Sequence, residues 1–257
     1  MGIILKSAAE IEAMKEAGCL SAKALRVAGE LCRPGASTWE IDEAVEAVIR
    51  DDGGVPAFKG YAGFPASICA SVNDEIIHGI PSKDVVLREG DIISIDTGAV
   101  VDGWVGDNAW TFPVGEVSEE KRRLLQVGEE CLWAGIEGAR AGNRMGAIGS
   151  AVEHRAREAG CSVVREYVGH GIGRDMHEAP NVPNYGWRHR GVKLAVGMVL
   201  AIEPMVNAGS CRTRQMDDGW LVRTEDGRPS VHFEKTVAIT EDGPVLLTVE
   251  PGRLRPL

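Results

Sequence analysis

At a constant offset of 107 residues (140 − 33 = 107) the chain repeats itself, and this restricts the possible folds more than any single motif. Arg33 matches Arg140, Gly35 matches Gly142, Ile41 matches Ile148, and Ala44 matches Ala151. Val45, Arg50 and Gly53 match Val152, Arg157 and Gly160. Further on, Gly90 falls on Gly197, Ile95 on Ile202, and Asp96 on Glu203. Chance supplies a few such matches where Ala, Gly and Val are abundant. A gap-free register across elements that also agree in type points to duplication. Each copy reads helix, turn, helix, strand, then an acid closing an apolar strand. The expectation is a duplicated α/β unit of the α/β (α+β) class, whose pseudo-twofold axis brings Asp96 and Glu203 together.

Local signals agree with that reading. Ser7–Glu10 and Ser37–Glu40 are capping boxes, in which the Ser side chain accepts a helix N–H and the Glu reaches back. The first opens a helix to about Leu31, stopped at Arg33-Pro34-Gly35; the second opens one that ends at Gly53-Gly54. Ser118 caps a helix to about Gly138, and another spans roughly Ile148 to Glu158. Residues 55–65 read as a Gly- and aromatic-rich loop that can form a wall. Gly90–Asp107 reads as a β-hairpin, because Asp102-Gly103 suits a tight turn that needs φ > 0. With those two residues in the loop, Val101 faces Trp104 and Gly98 faces Asp107. Asp96 then lies on the diagonal from Asp107, and the two carboxylates can reach one ion or two adjacent ions. Val231–Ile239 alternates and reads as one strand, with Glu234, Thr236 and Ala238 on one face.

The net charge of −10 argues against a nucleic-acid binder that works by broad charge attraction. Six scattered cysteines form no CxxC pair, so neither a zinc ribbon nor a thioredoxin motif is suggested. The first fourteen residues hold no long apolar run, which argues against a signal peptide or a membrane span. A reducing cytoplasm with free thiols is the expected compartment.

The chemistry-bearing residues form a set. Gly169, Gly171 and Gly173 make a helix unfavourable around His170 and His177, and glycines beside a His let backbone come close to a ligand. Glu203 ends the apolar run Val196–Ile202 just before Pro204, and an acid completing a buried strand is costly unless paired or metal-bound. Asp96, Asp107, His170, Glu203 and Glu234 amount to four carboxylates and one imidazole. Carboxylates aimed at one point repel unless a cation or shared proton lies between them. Oxygen-rich ligation with one His suits Mn, Fe(II), Co or Zn. Four carboxylates exceed the need of one structural zinc, and bridging carboxylates hold two ions about 3.5–4 Å apart in hydrolases. A dinuclear metallohydrolase follows from residue types.

At these residues the chain resembles the type I (bacterial-type) methionine aminopeptidases, which have the pita-bread fold, a curved antiparallel sheet covered by helices. The motifs are ICASVNDEIIHGIP (68–81), GDIISIDTGAVVDGWVGDNAWTFPVG (90–115), VGHGIGRDMHEAPNVPNYG (168–186), GMVLAIEPMV (197–206) and DDGW…HFEKTVAIT (217–240). The resemblance implies one catalytic domain over 1–257, made of halves at about 8–112 and 115–250. It implies two divalent ions, with Asp96 on one, Asp107 and Glu234 bridging both, and His170 and Glu203 completing the other. A water bridging the ions would be the nucleophile, with Glu203 as its general base. His177 would stabilise the scissile carbonyl oxygen, and His78 would hold the peptide next to that bond. The substrate's free α-amine would bind on the Asp96 side. Tyr61, Phe64, Cys69, Met176 and Trp220, with Phe58 nearby, would line the methionine pocket, where apolar and sulfur-containing walls suit a thioether.

The implied reaction is removal of the initiator methionine from nascent proteins and peptides with a small second residue. The implied setting is a cytoplasmic monomer near ribosomes, with no nucleic-acid or membrane partner. Phe58 stands where cysteine is common, Phe64 where tyrosine is, Met176 where phenylalanine is, and Asn184 where histidine is. Proline-specific peptidases of the same fold share the ligands, but usually carry an additional N-terminal domain. Non-catalytic relatives have lost ligands, and here all five positions are filled. Creatinase-like enzymes do not keep this acid cluster.

Overall fold

The computed structural model describes residues 2–257. Four helices, α1 (Ala8–Leu31), α2 (Thr38–Asp51), α3 (Glu119–Gly138) and α4 (Gly146–Glu158), pack against strands that pair antiparallel in four sheets. Both capping boxes form: the Glu10 and Glu40 carboxylates accept from the Ser7 and Ser37 N–H groups at 2.8 Å. Ser118 caps α3 by accepting from the Lys121 N–H. Helix α4 starts at Gly146, before the expected Ile148. Its start has no side-chain cap; Met145 and Gly146 instead donate backbone N–H groups to Val192 O and Arg190 O, 2.8 and 2.9 Å away. Such partners lie too far along the chain to leave a local signal.

The duplication is visible bond by bond. Gly35 N–H donates to Leu87 O at 2.9 Å, and Gly142 N–H to Leu194 O at 2.9 Å. The return bonds, Leu87 N–H to Ala36 O and Leu194 N–H to Asn143 O, are both 2.8 Å. Gly35 and Gly142 have the same φ of +91°, a backbone state that a Cβ would strain. In the first half the Ile92–Val101 strand lies between Ile68–Val72 and Trp104–Pro113. In the second, Val199–Ile202 lies between Gly169–Gly171 and Lys235–Thr240.

The hairpin has the expected register, Val101 opposite Trp104 and Gly98 opposite Asp107. Asp102 and Gly103 both take positive φ, 49° and 75°. Ile92, Ile93 and Ile95 are fully buried, each contributing about 1.5–3 kcal/mol of transfer free energy. Helix α1 lies directly on the hairpin: a Cβ added to Gly106 would sit 2.6 Å from Gly18 Cα. Ser21 Oγ donates to Thr97 O at 2.9 Å, and the Asn108 amide donates to Ser21 Oγ at 2.8 Å. These contacts hold the strands that carry Asp96 and Asp107.

The expected single strand over Val231–Ile239 is instead two, Ser230–His232 and Lys235–Thr240, interrupted at Phe233-Glu234. At the interruption the Glu234 N–H donates across to Ala109 O, 2.9 Å away in the first half's hairpin. Two residues on, Thr236 Oγ1 accepts from Asp107 N at 3.2 Å and donates to Asp107 O at 2.8 Å. The two halves therefore join at Asp107 and Glu234. Both faces of Lys235–Ile239 are buried, so the alternation there does not separate core from solvent.

Candidate active site

A cavity of about 210 Å³ opens where the two halves meet. Asp96, Asp107, Glu203 and Glu234 line it, as do His78, His170 and His177. The apolar residues singled out from sequence, Tyr61, Phe64, Cys69, Met176 and Trp220, line the same space, together with Phe58 and Ala62. Asp96 and Asp107 project from the two strands of the hairpin, while Glu203 directly follows the Val199–Ile202 strand.

Asp107, His170 and Glu234 each offer a ligand atom, and these atoms lie within 4.8 Å of one another. Burial first, then the Glu203 charge, pushes the Asp107 carboxyl toward protonation in the metal-free protein; burial and then Asp107, Glu203 and Asp96 do the same to Glu234, and Asp96 is raised by burial and by Asp107 and Glu203. Burial pushes Glu203 up to about 8. One oxygen each of Asp96, Asp107 and Glu234 is buried without a hydrogen-bond partner among the described residues. Buried, unpaired, mutually repelling carboxylate oxygens are what a divalent cation would satisfy.

The imidazole fits the same role. His170 Nδ1 lies 2.9 Å from Gly171 O, so the carbonyl takes the ring hydrogen and Nε2 keeps its lone pair. That Nε2 is 3.5 Å from Glu203 Oε1 and 3.9 Å from Asp107 Oδ2. Burial, then His177, lowers its pKa to about 4, so the ring is neutral and able to ligate at neutral pH. The donor set, oxygen-rich with one nitrogen, fits a hard-to-borderline divalent ion.

Two further histidines, His177 and His78, stand beside this centre. His177 precedes the Glu178–Val182 strand, its ring centroid 4.2 Å from that of His170. His78 has a left-handed φ of 61° and sits edge-on to Trp220 and Tyr167, with burial first among the causes lowering its pKa to about 4. Phe64 packs edge-to-face on Trp220 at 5.1 Å, forming the apolar wall. Asn184, buried, donates its amide to Glu203 O at 2.9 Å and so steadies the backbone of that acid.

His232 was not singled out by the motif reading, yet its Nε2 is 3.5 Å from Glu203 Oε2. The available signal was its position two residues before Glu234, the spacing that shares a strand face. Ala62 was likewise missed; it lines the cavity with a φ of 47°.

The sequence profile of Metallopeptidase family M24 matches residues 12–241. A methionine aminopeptidase of Clostridium acetobutylicum is 49% identical over 247 residues, covering 96% of this chain and 99% of that one. The crystal structure of methionine aminopeptidase from Thermotoga maritima superimposes with a TM-score of 0.95 at 43% identity, over 97% of this chain and all (100%) of the other. A prolidase from Pyrococcus horikoshii is similar at a TM-score of 0.76 and 25% identity, but only 64% of its chain is covered.

Proposed function

The chain belongs to metallopeptidase family M24, among the type I methionine aminopeptidases, and from that premise we propose how its site works. It is a metallo-exopeptidase that removes the initiator methionine. The observation that carries the reading is the convergence of Asp107, His170 and Glu234 on one point, beside Asp96 and Glu203, at the end of an apolar cavity.

Asp96, Asp107, His170, Glu203 and Glu234 would hold two divalent ions drawn from Mn, Fe(II), Co or Zn. Asp96 would serve one ion, Asp107 and Glu234 would be shared, and His170 with Glu203 would serve the other. When bound, the ions supply Lewis acidity toward water and toward the scissile carbonyl. Glu203 takes a proton from the attacking water on a carboxylate oxygen and delivers it to the leaving amine. His177 presents a ring N–H to the carbonyl oxygen as negative charge develops there. His78 holds the peptide beyond the scissile bond. Phe64, Cys69, Met176 and Trp220 take the thioether side chain, and the acidic Asp96 end receives the free α-amine, which restricts cleavage to the first residue. A small second residue is preferred, and the physiological substrates are nascent chains met near the ribosome.

The test of these roles compares Glu203→Ala with His177→Ala for turnover of a Met-Ala-Ser peptide and for bound metal. Glu203→Ala is expected to lose both. His177→Ala is expected to lose turnover and keep its metal. Equal metal loss in the two variants would overturn the assignment.

A further inference from the structure

Tyr61 stands at the rim of the cavity rather than inside it, 44% exposed, with its hydroxyl 2.8 Å from His177 Nδ1. The contact spans 116 residues and joins a loop of the first half to the catalytic loop of the second. We infer that Tyr61 is a positioning residue for His177: its hydroxyl donates to Nδ1 and so holds the imidazole in the tautomer with its hydrogen on Nε2. The catalytic consequence, though not the hydrogen bond, rests on the reading of His177 given above.

The direction of the bond follows from the donors available. A neutral imidazole has one N–H and one nitrogen lone pair, while a phenol is both donor and acceptor. Phenol O–H to imidazole nitrogen pairs the stronger donor with the stronger acceptor. With Nδ1 occupied, Nε2 is the nitrogen left to donate to a substrate oxygen.

The loop is built to hold this geometry. Tyr61 N–H donates to Phe58 O and Phe64 N–H to Tyr61 O, both at 2.9 Å, and Gly60 N–H donates to Phe64 O at 2.8 Å. Between them Ala62 has a φ of 47°, a left-handed state that is unfavourable for a residue with a Cβ. On its other side His177 lies against the His170 ring. The imidazole is thus held from the metal side and from the rim.

The test reads the ring nitrogens directly. Zinc-loaded protein labelled with 15N in its histidine rings gives signals for six histidines, and His177→Asn identifies those of His177. The expected wild-type pattern is an unprotonated, hydrogen-bonded Nδ1 and a protonated Nε2. In Tyr61→Phe both nitrogens should move toward the average of two tautomers. With a Met-Ala-Ser peptide the same variant should lose about 3- to 10-fold in kcat, the worth of one such hydrogen bond, with KM within about twofold because the ring remains. A hydrogen on Nδ1 in the wild type overturns the inference without any substitution at Tyr61. An unchanged nitrogen pattern in Tyr61→Phe also overturns it. The expected pattern in a protein that cleaves no peptide would leave the tautomer assignment standing and remove the peptidase reading instead.

Discussion

The Glu203 carboxylate lies between two imidazoles: Oε2 is 3.5 Å from His232 Nε2, and Oε1 is 3.5 Å from His170 Nε2. His232 is buried, and burial lowers its pKa to about 3, so it meets Glu203 as a neutral ring. Its Nε2 has no other partner among the described residues. It is therefore placed to orient the carboxylate to which we assign the proton transfer. His232→Leu should lower turnover by about 10- to 100-fold, the usual effect of deleting an outer partner of a metal-site group. His232→Gln keeps a donor at similar reach and should recover most of the loss. Steady-state kinetics on Met-Ala-Ser settles this, and full activity in His232→Leu would remove the role.

Replacing Asp107 by Asn should act in opposite directions with and without metal. In the loaded protein it removes a shared ligand, so bound metal and the melting temperature both fall. In the chelator-treated protein it removes one of four crowded carboxylates, so the melting temperature rises relative to wild type treated alike. Thermal melts paired with metal analysis report both signs. Unchanged metal content in Asp107→Asn would contradict the bridging role.

The metal-free protein should lose stability as pH rises from about 6.5 to 8. Glu203 has a folded-state pKa of about 8, above its ordinary value of 4.5. A raised carboxylate contributes stability at low pH that is lost as pH climbs toward the folded value. The buried histidines work oppositely, His170 at about 4 and His232 at about 3, and their contribution is lost only as pH falls below about 6.5. Between 6.5 and 8 the carboxylates dominate, opposed only near pH 8 by Lys235, which burial lowers to about 8. The expected loss is on the order of 2 kcal/mol, or about 5 °C in melting temperature, and added metal should flatten it. A metal-free melting temperature that climbs over this interval would refute the account of the acid cluster.

Much of this site is written in short-range sequence. The Asp102-Gly103 turn sets the register that places Asp96 and Asp107 on neighbouring strands, and the 107-residue repeat matches Asp96 to Glu203, which lines the same cavity. What was not legible depends on contacts between distant residues. The interruption at Phe233-Glu234 arises because the Glu234 N–H bonds to Ala109, and alternation cannot report a strand that changes partners. Tyr61 reads as a pocket wall because its partner is 116 residues away.

The Lys6–Glu178 ion pair is another such contact, 172 residues apart, with side chains only 3% and 5% exposed. Glu178 Oε1 also accepts from the Arg174 N–H at 3.0 Å, so the pair braces the loop that carries Met176 and His177. Lys6→Met leaves a buried carboxylate unpaired and should cost about 3–5 kcal/mol. Lys6→Met combined with Glu178→Gln removes both charges while keeping the acceptor for Arg174, and should restore most of that stability. Denaturant unfolding of the three proteins checks this, and an additive double variant would show that the two side chains act independently.

The most direct measurement is peptide cleavage by chelator-stripped protein after Mn, Co, Fe(II) or Zn is restored. The substrates are Met-Ala-Ser, Met-Lys-Ser and Ala-Pro-Ser. The predicted result is metal-dependent release of methionine from the first peptide, with the second and third left intact. Release of alanine from Ala-Pro-Ser, or no cleavage with any metal, would contradict the assignment of this cavity to initiator methionine removal.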